Sequence, residues 1–131
     1  MRVGDDMAVT GKQVYDMALV LIDEVLETGN IVADQPQYYQ AKAKSILTTL
    51  QTELLPVSIE PVVITSLDDE LLLSDKVSLL VLPYGLAAHL LIQEDVNTAS
   101  FFNARYDELK GRRTASIQPI EDVNDVTGGM T

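Results

Sequence analysis

The stretch LPYGLAAHLL, residues 82–91, decides how this chain folds, because it is apolar on almost every side and yet contains Pro83 and Gly85. A proline inside a helix removes one backbone hydrogen bond and costs about 3 kcal/mol. A glycine there costs about 1 kcal/mol relative to alanine. A helix that contains both residues persists only where tertiary packing supplies the difference. The stretch therefore predicts a kinked helix at the centre of the core.

The residues around this stretch indicate contacts with several neighbouring helices. Gly85, Ala87 and Ala88 are small enough to let another helix approach closely. We expect the helix to begin near Ser74 and to run to about residues 94–95. The aliphatic side chains that surround its axis are Leu79, Leu80, Leu82, Leu86, Leu90, Leu91 and Ile92.

Two helices are predicted before it from apolar residues at three-four spacing. Thr10 is the expected N-cap of the first helix and Gly29 its C-cap. The apolar stripe of this helix is Val14, Met17, Ala18, Leu21, Ile22, Val25 and Leu26. The second helix is expected to start near Asp34, to hold Pro36 in its first turn and to stop at Pro56. Its predicted buried face is Tyr39, Ala43, Ile46, Leu47, Leu50 and Leu54.

A fourth helix is expected to start at Asn97 or Thr98 and to close at Gly111. Residues 56–67, PVSIEPVVITSL, contain two prolines and a β-branched run, which excludes a regular helix and predicts an irregular loop. Residues 112–131 show no amphipathic helical period. The predicted fold is therefore all-α: a small four-helix bundle domain at 1–111 with a Pro-kinked central helix, the 56–67 loop, and an extended C-terminal arm at 112–131.

The charge balance of the chain limits its partners. Twenty acidic against nine basic residues give a net charge of −11 over 131 residues, and such a chain repels bare nucleic acid. No cysteine is present, which excludes disulfides and thiolate metal sites. The first residues do not predict a signal peptide. The longest uncharged stretch, 77–93, is too short and too interrupted to predict a membrane span.

Candidate catalytic groups are few in this sequence. His89 is the only histidine, so it has no His or Cys partner for a metal, and it is expected to be structural or interfacial, with a role as general base the alternative. Asp23, Glu24 and Glu27 resemble half of the acidic magnesium site of the all-helical MazG-like nucleotide pyrophosphohydrolases. The Glu-x-x-Asp spacing of the second half does not occur. We expect no cofactor, no metal and no enzymatic activity.

Two features near the C-terminus predict contacts with other chains. Arg105, Lys110, Arg112 and Arg113 form a basic group that suits phosphate, an acidic neighbouring subunit, or solvation alone. The aliphatic residues of the arm, Ile117, Pro119, Ile120, Val123 and Val126, favour docking on another chain, with a disordered end as the alternative.

Residues 74–123 resemble the small head–tail connector proteins, also called adaptor or neck proteins, of tailed bacteriophages and prophages. The resemblance rests on three stretches: LPYGLA with the following Leu90-Leu91, then FFN with Arg105-Tyr106, and finally PIEDV at 119–123. The first 70 residues agree with that family only in general plan. One departure is that the 56–67 loop is aliphatic and bracketed by prolines.

The resemblance implies a subunit of a ring, typically twelvefold, that lies below the portal protein, extends the DNA channel and joins the capsid to the tail. The implied partners are the portal, other copies of the chain, the next neck or tail-completion protein, and double-stranded DNA that passes without sequence-specific binding. The implied place is the virion, after assembly in the cytoplasm of the bacterial host. No membrane is involved.

The resemblance also implies where the contacts lie. The C-terminal arm is expected to bind the portal through Arg112, Arg113, Ile117, Pro119, Ile120 and Val123. The 56–67 loop is expected to contact other subunits or the protein below through Val57, Ile59, Val62 and Ile64. The alternatives are a relative of the MazG-like pyrophosphohydrolases that uses the acidic residues above, and a cytoplasmic protein-binding module.

Overall fold

Five helical segments occupy most of the part that the computed structural model describes, residues 8–26 and 37–122, where only the backbone is described beyond Arg112. They are α1 (Gly11–Leu26), α2 (Gln37–Leu54), α3 (Asp75–Leu80), α4 (Leu82–Leu91) and α5 (Val96–Asp122). The described residues contain no strand beyond one isolated bridge. Helices α3 and α4 are two parts of the predicted third helix, so the prediction of a small all-α bundle of four helices is confirmed.

The predicted kink is a break in the third helix at Val81. Ser74 caps the start of α3 as expected, because its side chain accepts a hydrogen bond from the backbone N–H of Val77. The N–H of Val81 still donates to the carbonyl of Val77, at 2.9 Å, and α4 then begins with Pro83 in its first turn. A proline is tolerated there because a backbone N–H in the first turn has no acceptor within the helix, so its absence in proline removes no hydrogen bond. The break therefore removes most of the cost of a proline in a helix interior.

Helix α4 is the central element, as predicted, and it contacts all four other helices. Its buried side chains include Leu82, Leu86, Leu90 and Leu91. The expectation that Leu79, Leu80 and Ile92 also enter the core is wrong, because all three are exposed. They lie outside or at the end of α4, where no neighbouring helix of the described chain covers them.

Gly85 allows α2 and α5 to approach α4 closely. A Cβ atom at this position would lie 2.8 Å from two ring carbons of Tyr106 on α5 and 3.0 Å from the Cδ1 atom of Leu50 on α2. The two distances to Tyr106 are shorter than real carbon contacts and the one to Leu50 is very tight, so a larger residue requires these side chains or their helices to shift. Gly111 on α5 has no atom within 4 Å of the corresponding position.

The buried face of α1 is rotated relative to the predicted stripe. Tyr15 and Leu19 are buried together with Val14, Ala18 and Ile22, which belonged to the stripe. Met17 and Val25, which also belonged to it, are exposed. The helix is apolar over more than half of its circumference, so its own periodicity does not choose which side meets α4. The predicted face of α2 is confirmed, with Ile46 only partly buried.

Both predicted ends of the fourth helix are corrected. Its cap is Asp95, whose carboxylate accepts from the N–H of Thr98 at 3.1 Å, and neither Asn97 nor Thr98 itself is the cap. The helix continues through Gly111, which lacks the left-handed conformation of a C-terminal cap, so the extended arm is wrong for residues 112–122.

An ion pair explains part of that continuation. The Arg112 guanidinium lies 2.7 Å from the Glu108 carboxylate one turn earlier, across Gly111. Residues 123–131 of the predicted arm lie outside the described residues, as do the predicted caps Gly29 and Asp34. The division into 1–111 and 112–131 stays a prediction.

Gly85 and Gly111 give a matched test of the packing around α4. Gly85→Ala should lower the free energy of unfolding by about 1–3 kcal/mol, because the new methyl group overpacks the contact with Tyr106 and Leu50. Gly111→Ala should raise it by up to about 1 kcal/mol, since alanine favours the helix and meets no atom. Urea denaturation of both variants checks this. A stabilised Gly85→Ala protein contradicts the close approach of the three helices.

Candidate interaction surfaces

The segment between α2 and α3, residues 55–74, is irregular as predicted, and we call it the connecting loop. It is held to α2 by two side chains. Thr48 Oγ1 accepts from the N–H of Ile64 at 2.9 Å, and the buried Gln51 Oε1 accepts from the N–H of Leu72 at 2.6 Å. These bonds provide acceptors for backbone groups that have no sheet or helix partner.

The connecting loop also supports the start of α1. The first N–H groups of a helix have no intrahelical acceptor, and here those of Gly11 and Lys12 donate to the carbonyls of Asp69 and Leu67, at 3.1 and 2.7 Å. Thr10 is the N-cap, as predicted. The N–H of Thr10 donates to Gln13 Oε1 at 2.9 Å, and the N–H of Gln13 donates to Thr10 Oγ1 at 3.4 Å. These two reciprocal bonds form a capping box.

The Asp69 carboxylate stabilises the conformation of the connecting loop. One of its oxygens accepts hydrogen bonds from the N–H groups of Thr65 and Ser66, at 3.1 and 3.2 Å. Hydrogen bonds to a charged group are stronger than neutral ones. The connecting loop is therefore a fixed structure, although it contains no helix.

Removal of that carboxylate should loosen the connecting loop selectively. Asp69→Ala should speed amide hydrogen exchange at Thr65 and Ser66 and lower the unfolding free energy by about 1–2 kcal/mol. Asp68→Ala is the matched control, since Asp68 accepts neither of these two bonds. Equal exchange in the two variants contradicts the role of Asp69.

The first part of the connecting loop presents aliphatic side chains to solvent. Val57, Ile59 and Val62 are exposed, which places three of the four predicted contact residues on the surface. The fourth, Ile64, is buried with 4% exposure, so it anchors the loop in the core and is not available to another chain. Val63, with 69% exposure, was missed, because the sequence does not say which side of an irregular segment turns inward.

A second apolar surface lies between α1, α3 and the start of α4, and we call it the apolar groove. Its volume is about 450 Å³, and it is lined by Asp16, Met17, Val20, Leu21, Glu24, Leu79, Leu80, Pro83 and Tyr84. The groove was missed because Met17, Leu79 and Leu80 were assigned to the core. The sequence did contain a sign of the groove, because α1 has more apolar residues than one buried face requires.

The described basic side chains of α5, which are Arg105, Lys110 and Arg112, are paired with carboxylates of the same chain. Arg105 and Arg112 both contact Glu108, at 2.8 and 2.7 Å, and Lys110 contacts Glu53 on α2 at 2.8 Å. The hydrogen bond from Arg105 is the largest cause that lowers the pKa of Glu108.

Of the other predicted portal contacts, the residues up to Ile120 lie in helical backbone, and Val123 lies outside the described residues.

Glu53 connects α2 to α5 through two donors. Its carboxylate accepts from Lys110 at 2.8 Å and from the buried Tyr106 hydroxyl at 3.0 Å. The Lys110 hydrogen bond is the largest cause that lowers the pKa of Glu53, with Tyr106 adding to it against a smaller effect of burial. A lowered folded-state pKa contributes stability above the ordinary glutamate pKa of about 4.3, and that contribution disappears as the pH falls through the lowered value.

Replacement of Glu53 by a neutral residue should therefore lower the free energy of unfolding only at pH values above the lowered pKa. Glu53→Gln should destabilise the protein by about 0.5–1 kcal/mol at about pH 7, since the site is partly screened by solvent, and by much less at about pH 3. Urea denaturation at both pH values measures this, with Glu60→Gln on the connecting loop as the control. A loss that is the same at both pH values contradicts an ionic contribution.

The candidate catalytic groups do not converge on one site. The Nδ1 atom of the exposed His89 lies 2.9 Å from the carbonyl of Gly85, one turn earlier on α4. Asp23 and Glu24 lie on α1, whereas Glu27 lies outside the described residues. Within residues 8–26 and 37–122, no group of three His, Cys, Asp or Glu side chains is arranged to hold a metal ion.

A further polar cluster joins α2 to the turn after α4. The hydroxyls of Tyr38 and Tyr39 both donate to the Glu94 carboxylate, that of Tyr39 at 2.9 Å. Burial and, next, the hydrogen bond to Glu94 raise the pKa of Tyr39. The two rings pack edge to face with centroids 5.2 Å apart. The cluster ties the start of α2 to the end of α4 and is a structural contact.

Comparisons with known proteins do not assign the chain to a class. No protein-family model, no curated protein and no solved structure matches it. Among the described helices, none combines the length and the apolar character that a membrane crossing requires.

Proposed function

We propose that this protein is a structural subunit of the bacteriophage head–tail connector, which forms a ring below the portal, extends the DNA channel and joins the capsid to the tail. The observation that supports this most is the pair of exposed apolar surfaces on an otherwise packed bundle. Exposed clusters of aliphatic side chains on a folded domain mark contacts with other chains. The resemblance of residues 74–123 to connector proteins implies that the assembly is a head–tail connector.

The charge of the chain supports a place around DNA. A ring of subunits that each carry a net charge of −11 presents a wall that repels phosphate. Double-stranded DNA then passes through the channel without sequence-specific contacts. The ring, typically twelvefold in such connectors, also offers a platform for the next neck or tail-completion protein. The complete assembly belongs to the virion and forms in the cytoplasm of the bacterial host.

The C-terminal part of α5 is the proposed portal contact. Residues 112–122 extend the helix by about 16 Å, at about 1.5 Å per residue. They contain Arg112, Arg113, Ile117, Pro119 and Ile120, followed by Val123. Because these residues are helical up to Asp122, the contact is a helix that lies in a groove of the partner, and not an added strand.

Deletion of the segment tests the proposal. The full-length chain should co-sediment with the portal protein encoded by the same viral or prophage genome, and a chain that lacks residues 112–131 should not. Deletion of residues 128–131 is the control, since it keeps all proposed contact residues. Circular dichroism shows whether the truncated chain keeps its helices. Absence of binding by the full-length chain overturns the connector proposal, and unchanged binding by the truncated chain removes α5 from the contact.

A further inference from the structure

The connecting loop and the apolar groove are formed by different elements of the chain. The loop runs beside α2, where Val63, Ile64 and Thr65 border a shallow pocket with Ser45 and Thr48. The groove is formed by α1, α3 and the start of α4. One surface is a loop with exposed aliphatic side chains and the other is a groove. Two unlike surfaces on one subunit suit head-to-tail association, which closes into a ring when the rotation between copies allows it.

Like charge disfavours most other contacts between two copies. Each chain has a net charge of −11, so copies that approach through their charged faces repel each other. Residues 56–67 carry a single formal charge, Glu60. The groove contains two, and Asp16 of this pair is already bonded to Lys12 at 3.0 Å. The two surfaces are therefore places where two copies can meet with little repulsion.

The edge of the groove near α5 complements the single charge of the loop. Tyr84 lines the groove, and the Arg105 guanidinium lies over its ring at 5.8 Å from the centroid. Arg105 and Arg112 share the Glu108 carboxylate, at 2.8 and 2.7 Å, so these three side chains together carry one net positive charge. An approaching Glu60 carboxylate is attracted to this edge and repelled by Asp16 and Glu24 on α1. The charges thus favour one orientation of the loop in the groove.

We infer that the connecting loop of one copy docks in the apolar groove of the next, with Val57, Ile59, Val62 and Val63 as the inserted side chains. The inference rests on the proposed function, because a ring needs one such contact between each pair of neighbours. The loop is held at residues 64–66 by Thr48 and Asp69, and the N–H of Ile59 donates to the carbonyl of Pro56 at 3.0 Å, so part of the conformational entropy is lost before docking.

Cysteine cross-linking tests the contact directly, because the natural chain contains no cysteine. Leu80→Cys places a thiol in the groove and Val62→Cys places one on the loop. The two single variants are mixed in two conditions: as free protein at high concentration, and bound to the portal. In each condition a short bismaleimide should join them as a heterodimer. Leu80→Cys mixed with Asn103→Cys, an exposed site on α5, is the control and should give no heterodimer.

Charge reversal tests the orientation of the loop in the groove. Glu60→Lys, added to the Val62→Cys chain, should reduce the yield of heterodimer, and Arg105→Glu in the Leu80→Cys chain should restore it. Glu70→Lys is the control, since Glu70 is exposed on the later part of the connecting loop, and it should leave the yield unchanged. Failure of Arg105→Glu to restore the yield overturns the proposed orientation.

The outcomes separate this inference from the function on which it rests. A ring on the portal without the Leu80–Val62 heterodimer overturns the inference and leaves the connector proposal intact. The heterodimer in a protein that does not bind the portal supports the contact and overturns the connector proposal. Absence of both the heterodimer and portal binding overturns the two together. Thermal denaturation of each variant confirms that it is folded before the yields are compared.

Discussion

The close packing of α4 between α2 and α5 is the constraint on which the rest of the structure depends. Only a hydrogen atom at Gly85 fits between the Tyr106 ring and the Leu50 side chain. The same helix begins directly after the break at Val81, with Pro83 in its first turn. Because α4 contacts every other helix, a shift of α4 disturbs the whole core.

Two surfaces remain uncovered because of this arrangement. Leu79 and Leu80 of α3 are exposed and form one wall of the apolar groove, opposite residues of α1. The connecting loop is held at residues 64 and 65 by hydrogen bonds to Thr48 and Asp69, and its first half faces solvent. An apolar surface that is rigid before binding loses less entropy when a partner covers it.

Electrostatics favours contacts within one copy over most contacts between copies. Lys110 is bonded to Glu53 and joins α5 to α2, and Arg112 is bonded to Glu108 and stabilises the continuation of α5 past Gly111. The excess of acidic residues repels both DNA and other copies. The groove and the connecting loop carry little charge, and they are the surfaces proposed for contacts between copies.

The sequence by itself determined the four-helix plan, a distortion of the third helix near Pro83, the central position of that helix and the irregular loop, because prolines and three-four periodicity act over a few residues. Only the tertiary structure decided which side of α1 is buried, that Ile64 turns inward and that α5 continues through Gly111. Helix α1 is apolar on more than one side, and the choice between Met17 and Tyr15 as the buried residue depends on where α4 lies. Such choices are made by neighbours distant in sequence, and no local pattern contains them.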